Sequence, residues 1–312
     1  MTDKPAERTA LSTWRTVGAV LANVAVAVLA PLLVFGPDRQ PRAAGFLVLA
    51  ALLATLAGLS YYLCWRGATE RISAGPRDAA DRHPIGIGTI AKGLLGNRNL
   101  VALSLASILL ISINLYLGAL QPYLFKDFFH APELLSFIPL ALAPSLLLLI
   151  LTAQPLANRF GKKELACVGL GLALVADVQL YVLPMPFPAL YLAWQALATL
   201  GIGYFSFLTW ALVADVIDQH ARDTGLRREA TVYAVFSLSR KLGQALAGGL
   251  DALALSLAGY QSGQAGQSVE TAEKLRSLVT FYPLIGTALM ALILGFFYRL
   301  DRRTVHILHP GA

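Results

Sequence analysis

Apolar residues along this chain fall in blocks of about twenty, separated by shorter polar stretches. A block of that length crosses roughly 30 Å of hydrocarbon. Backbone groups in lipid must be satisfied within their own segment, so each block is predicted to be a helix. Eight spans are expected, at about 16–35, 43–65, 99–121, 136–153, 165–184, 189–213, 231–257 and 278–298. The fourth holds Pro139 and Pro144, and the fifth ends at the turn Pro184-Met185-Pro186-Phe187-Pro188. Proline inside a span marks a kink, because neighbouring helices re-satisfy the freed carbonyls. The pattern therefore predicts an all-α, polytopic membrane protein.

Composition agrees. Of 312 residues, 56% are hydrophobic and 14% charged, with mean hydropathy +0.62, whereas a soluble domain has about 25% charged residues. The formal net charge of +7 is spread over inter-helix loops with no dense basic patch, which argues against nucleic acid. Most Lys and Arg fall in the N-terminal stretch, the segments between the even-numbered spans and the next, and the C-terminal tail. The opposite loops hold only Arg39, Arg42, Lys126, Lys274 and Arg276. By the positive-inside rule both termini are expected in the cytoplasm, and the chain in the cell (inner) membrane. Cys64 and Cys167 provide neither a disulfide framework nor a metal-binding spacing.

The longest loop, about 66–98, is polar and rich in Gly, Pro, Arg and Asp. It divides the chain into 1–65 with two spans, a central cytoplasmic loop at 66–98, and 99–312 with six spans and a short tail.

Candidate chemistry lies within the spans, where an ionisable residue costs a few kcal/mol and marks a functional site by default. At 100° per residue, Ser237, Lys241, Gln244, Gly248 and Asp251 of the seventh span fall within an arc of about 80°. With Ala245, Ala247 and Gly249 beside it, the stripe suits a helix that packs closely and lines a wet cavity. Lys241 snorkelling to the interface is the plainer alternative, and Asp251 serving as a structural cap is another. Arg240 faces elsewhere, as a snorkeller or packing partner. A second stripe runs through Ser104, Ser107, Asn114 and Gln121 of the third span, and a looser one through Gln195, Thr199, Ser206 and Trp210 of the sixth. Hydrogen-bonding groups beside an aromatic suit a sugar ring, although small polar residues also glue membrane helices together. Asp177 is a lone acid in the fifth span. The sixth span is expected to end on Asp215 and Asp218, and a basic turn with Arg222, Arg227 and Arg228 follows. These charges either form a cytoplasmic gate or mark topology. No HExxH, CxxC, GxSxG or phosphate-loop motif occurs, so neither an enzyme, nor a metal, nor a cofactor is expected.

The stretch ALVADVIDQHARDTGLRREATVYAVFSLSRKLGQALAGG resembles a helix–loop–helix of the glycoside–pentoside–hexuronide:cation symporters, the melibiose-permease-like branch of the major facilitator superfamily. The matching positions are Ala214, Asp215 and Asp218, then Gly225, Arg227, Arg228 and Glu229, then Lys241 and Gly243. ERTALSTWRTVGAVLANV resembles the start of that family's fifth helix, LLGNRNLVALSLASILL its seventh, and LANRFGKKELACVG its eighth-to-ninth loop.

The resemblance implies a cation-coupled (Na⁺ or H⁺) symporter of a sugar or glycoside working by alternating access. Arg15 and Lys241 match basic residues near the sugar and cation sites. With the polar stripes added to these two, the expected pathway is Arg15, Asn114, Gln195, Trp210, Lys241, Gln244 and Asp251, and the expected gate is Asp215, Asp218, Arg227 and Arg228. The eight spans align with the last eight of the family's twelve, and MTDKPAERTALSTWR reads like the interior of its fourth-to-fifth loop. Met1 is therefore expected not to be the ancestral start, with the first four helices belonging to a longer chain or to a partner. Two other readings stay open: a lysolipid or other amphiphile carrier of the same branch, and a non-transporting remnant or membrane scaffold.

Overall fold

The computed structural model describes residues 43–67, 96–224 and 229–302 (apart from 263 and 265), residue 304, and scattered positions between 18 and 34. The chain divides into two units, Met1–Ile85 and Gly86–Ala312. In the first unit, helix α1 spans Ala43–Gly67 and buries only Gly45. Most of the expected first span and most of the dividing loop lie outside the described residues.

The second unit is a bundle of long helices: α2 (Arg98–Tyr123), α3 (Ile138–Phe160), α4 (Lys162–Val182), α5 (Pro188–Thr224), α6 (Glu229–Ala258) and α7 (Val269–Leu292). Among the described residues of both units, six helices are long and apolar enough to cross a membrane. Helix α6 is 30 residues long and carries Arg240, Lys241 and Asp251. This is an all-α polytopic membrane fold. Outward-facing Leu105, Leu140, Leu151, Val168, Leu238, Leu257 and Phe296 are left exposed, as lipid-facing positions require.

Two ends differ from expectation. Helix α5 does not stop at Asp215 and Asp218 but continues to Thr224, because Leu212, Val213, Val216 and Ile217 still give it a buried face. The two acids are therefore helical residues rather than a terminus. Helix α7 begins at Val269, earlier than expected. Ser268 caps it by accepting the Thr271 N–H at 3.2 Å, and Ala272 and Leu275 are buried on its first turns. In both cases an amphipathic extension lies beyond the uniformly apolar stretch, and only the latter was visible as a span.

Packing is closest where side chains vanish. A Cβ at Gly169 on α4 would lie 2.6 Å from the Gly201 carbonyl of α5. A Cβ at Gly243 on α6 would lie 2.6 Å from the Ile108 carbonyl of α2. These contacts seat α4 on α5 and α2 on α6 backbone to backbone. Two short π-helical turns, Leu124–Phe128 after α2 and Ile293–Phe297 after α7, end those spans. At the second, Arg98 donates to the Phe297 and Phe296 carbonyls at 3.1 and 2.9 Å, satisfying groups that a helix end leaves free. The core has two parts. One holds Leu103, Phe205, Leu212, Phe236 and Tyr298; the other holds Leu120, Phe125, Tyr191, Leu275 and Val279.

Candidate functional site

The α2–α6 seam builds a groove. Because Gly243 brings the two backbones together, α2's Asn114 and α6's Gln244, Ala247, Gly248 and Asp251 end up facing one another. With Leu115, Gly118 and Ala119 they line a cavity of about 430 Å³. Gly248 has nothing within 4 Å of where its Cβ would stand, so its missing side chain is open space inside the groove.

The polar groups are only partly committed. Asn114 donates its amide to the Leu110 carbonyl of its own helix at 2.8 Å, leaving its side-chain oxygen facing outward from that bond. Lys241 donates from Nζ to Gln244 Oε1 at 3.0 Å, which leaves the Gln244 amide N–H groups to donate. Asp251 Oδ1 is buried and makes no hydrogen bond. Behind Asp251 stand two tyrosines that the sequence reading passed over. Tyr116 and Tyr282 pack edge to face with ring centres 4.8 Å apart. Tyr116 donates to the Leu278 carbonyl at 2.9 Å, and the Tyr282 hydroxyl meets the Ser112 hydroxyl. Aromatics at helical spacing read as core, and only Ser112 four residues before Tyr116 hinted at a polar role.

The remaining expected site residues divide clearly. Gln195 is buried on α5 and Trp210 packs against Phe236, with ring centres 5.4 Å apart; neither lines the groove. The Arg240 guanidinium lies 5.4 Å from the centre of the Trp210 ring, a cation–π contact between α5 and α6. Arg15, Arg227 and Arg228 lie outside the described residues. Gln121 leaves the Asn114 stripe and faces Tyr191 of α5.

Asp215 sits at the charged end of the bundle, buried, and accepts Lys162 Nζ at 2.6 and 2.9 Å on its two carboxylate oxygens. Lys162 is the first residue of α4, so the pair ties the start of α4 to α5. Nearby, the Arg302 N–H donates to Glu164 at 3.0 Å, and Asn99 links Gln219 at 2.7 Å to the Arg299 N–H at 2.6 Å. The opposite end has a smaller clasp. Tyr260, in the turn after α6, donates its phenol to Asp127 at 3.0 Å. Burial, and then that carboxylate, push the Tyr260 hydroxyl up to about 12. Among the described residues no cluster of three His, Cys, Asp or Glu could hold a metal ion.

Comparison with known proteins agrees on a family but not on cargo or direction: a putative 2,3-dihydroxypropane-1-sulfonate exporter of Salmonella typhimurium (strain LT2) is 30% identical over 309 residues, covering 97% of this chain and 65% of the relative. The family described as MFS/sugar transport protein matches residues 1–302. The uncharacterized symporter YjmB of Bacillus subtilis (strain 168) is 32% identical over 305 residues, covering 96% of this chain and 64% of the relative. The isoprimeverose transporter of Lactiplantibacillus pentosus is 28% identical over 311 residues, 97% of this chain and 62% of the relative. The glucuronide carrier protein homolog of Escherichia coli (strain K12) is 26% identical over 311 residues, 96% of this chain and 64% of the relative. The chain thus spans a little under two thirds of the length of these curated relatives.

Proposed function

The chain belongs to the MFS/sugar transport protein family, and from that premise we propose that it is part of a secondary transporter that moves a sugar or glycoside together with Na⁺ or H⁺. The observation that carries this reading is the α2–α6 groove. Asn114 on α2 and Gln244 and Asp251 on α6 face one another across a cavity whose other walls are Leu115, Gly118, Ala119, Ala247 and Gly248. That is the arrangement a polyhydroxylated ligand needs: a few fixed donors and acceptors, with room left by Gly118 and Gly248 for a ring. Lys241, which does not line the cavity but bonds Gln244 beside it, favours sugars that also carry an anionic group, such as a uronide.

The finer assignment is to the glycoside–pentoside–hexuronide:cation branch, supported by the motif residues from Ala214 to Gly243 and by relatives described as carrying isoprimeverose and glucuronide. On this reading residues 99–312 are the C-terminal half of the transporter, 66–98 the central cytoplasmic loop and 1–65 the last two helices of the other half. The end carrying Arg98, Arg159, Lys162 and Arg299 is cytoplasmic. The gate there includes Asp215 with its partner Lys162, and extends to Asp218, Arg227 and Arg228. Alternating access rocks the halves about a midplane site.

Uptake of radiolabelled glycosides and uronides into proteoliposomes, driven by an imposed Na⁺ or H⁺ gradient, tests the proposal. The four preceding family helices are supplied on the same or a second chain. Accumulation against the sugar gradient is the expected result. Equal sugar levels with and without either cation gradient, for every sugar tried, would refute coupled transport.

A further inference from the structure

Outside the groove, a second polar set is buried in the middle of the bundle. Asp177 of α4 is 3% exposed, Thr287 of α7 is 0% exposed and Tyr191 of α5 is 1% exposed. Thr287 faces Asp177 closely enough to act on its carboxyl, and Tyr191 lies within electrostatic reach of it. Yet although Thr287 faces Asp177 and Gln121 of α2 faces Tyr191, none of Asp177 Oδ2, Thr287 Oγ1 and the Tyr191 hydroxyl reaches hydrogen-bond geometry. Three helices each bring an unsatisfied oxygen to the same region.

No ionic partner is at hand among the described residues. Helix α5 keeps its charges, from Asp215 to Asp223, at the end remote from Tyr191. Helix α7 keeps Glu270, Glu273, Lys274 and Arg276 at its start, and Arg276 is eleven residues, or about 16 Å of helix, from Thr287. Helix α3 carries only Arg159, at its far end, and the π-helical turn Ile293–Phe297 carries no charge. A carboxylate in such surroundings costs several kcal/mol unless something neutralises it. Buried charges are resolved in two ways, by taking a proton or by coordinating a cation, and both act on the same oxygen.

We propose that Asp177 and Thr287 form a binding site for a monovalent cation, H⁺ or Na⁺, inside the α4–α5–α7 bundle. A proton on Asp177 Oδ2 would be donated to Thr287 Oγ1; a sodium ion would be ligated by both oxygens, with the Tyr191 hydroxyl as the nearest further ligand. Either occupant removes the uncompensated charge and ties α4 to α7. The site is separate from the groove, which Asp177 and Thr287 do not line. A role in coupling rests on the transport reading above, whereas cation binding itself does not.

The test uses the full chain in lipid nanodiscs and needs no transport. In one arm Na⁺ is titrated at constant ionic strength, and the thermal midpoint and the fluorescence of the half-buried Trp194, three residues from Tyr191, are followed. In the other arm infrared difference spectra in H₂O and D₂O report the C=O stretch of a protonated carboxylic acid. The expected result is a response in one arm, lost in Asp177→Asn. In Thr287→Val the Na⁺ affinity should fall at least tenfold, or the acid band should shift in frequency. Should Asp177→Asn not fold, the Thr287→Val comparison carries the same test. An absence of response in both arms for the unaltered chain would overturn the proposal, as would a response identical in the unaltered chain and both variants. Sugar counterflow without a cation gradient, in the complete transporter, checks the transport reading separately, because it needs no coupling site.

Discussion

Gly243→Ala should weaken the bundle, whereas the same change six residues along the helix should not. A methyl at Gly243 would stand 2.6 Å from the Ile108 carbonyl and 3.2 Å from Ile111 Cβ, and real Cβ atoms do not approach within 3.0 Å. The obstruction is backbone, so no side chain can swing aside; α2 and α6 must separate by several tenths of an ångström. Overpacking of this kind costs about 1–3 kcal/mol. Alanine also favours the helix over glycine by about 1 kcal/mol, which would mask part of the loss. Gly249→Ala supplies the correction, because that position is on the same helix with nothing within 4 Å. The difference between the two variants isolates the crossing, and should be about five- to 150-fold in the unfolding equilibrium. Reversible unfolding by steric trapping in bicelles measures it directly. Since Gln244 adjoins the displaced residue, sugar affinity should fall in Gly243→Ala but hold in Gly249→Ala. Equal stabilities for the two alanine variants would show that the α2–α6 contact is not as tight as described, and with it the argument that places Asn114 opposite Gln244.

Three further outcomes are expected. Lys241→Ala should insert and fold yet lose cation-driven accumulation in the complete transporter; normal accumulation would reduce Lys241 to a snorkelling residue. Lys162→Gln should destabilise the chain toward the low end of the about 3–5 kcal/mol seen when a buried pair loses one partner, since the Lys162 side chain keeps 35% of its surface exposed. Adding Asp215→Asn should restore part of that loss, and a double variant no better than the single would contradict the pairing. Tyr260 titrates at about 12 in the folded chain against about 10 unfolded. Its contribution to stability is therefore full below pH 10 and lost as pH rises toward 12. Tyr260→Phe should remove that alkaline component from a pH series of thermal midpoints, and an unchanged series would refute it.

The helices were legible because lipid imposes one rule on length and another on backbone satisfaction. Their ends beyond the apolar stretch were not. Asp215 and Asp218 looked like a terminus because polarity rises there, but α5 continues as long as Leu212, Val216 and Ile217 have something to pack against. The groove shows the same division. Helical periodicity was enough to put Lys241, Gln244 and Asp251 on one face, and seven-residue spacing put Asn114 on a face of its own helix. That these two faces meet depends on Gly243 passing Ile108, a fact about two helices that no single-helix projection contains. Lys162 could be seen as a loop cation, but its bond to Asp215 spans 53 residues of sequence. Trp210 shows the same limit: its ring meets Arg240 and Phe236 across the α5–α6 contact, where a projection of α5 alone shows only an aromatic near polar neighbours.

Asn99 has a mechanical consequence. One side-chain amide clips the far end of α5, through Gln219, to the chain just past α7, through the Arg299 N–H, while its own backbone belongs to the first turn of α2. Arg98 beside it grips the same post-α7 segment, and Arg302 ties that segment to the Arg159 carbonyl at the end of α3 at 2.6 Å. With Glu164 of α4 also held by the Arg302 N–H, five struts are thus pinned to one plate at that membrane face, whereas the opposite face has the Tyr260–Asp127 clasp between its turns. A bundle braced in this way is stiff at one end and compliant at the other. Shear between these helices is suppressed where they are pinned, so their relative tilting has to grow with distance from the plate and reach its largest amplitude at the opposite, more lightly clasped rim.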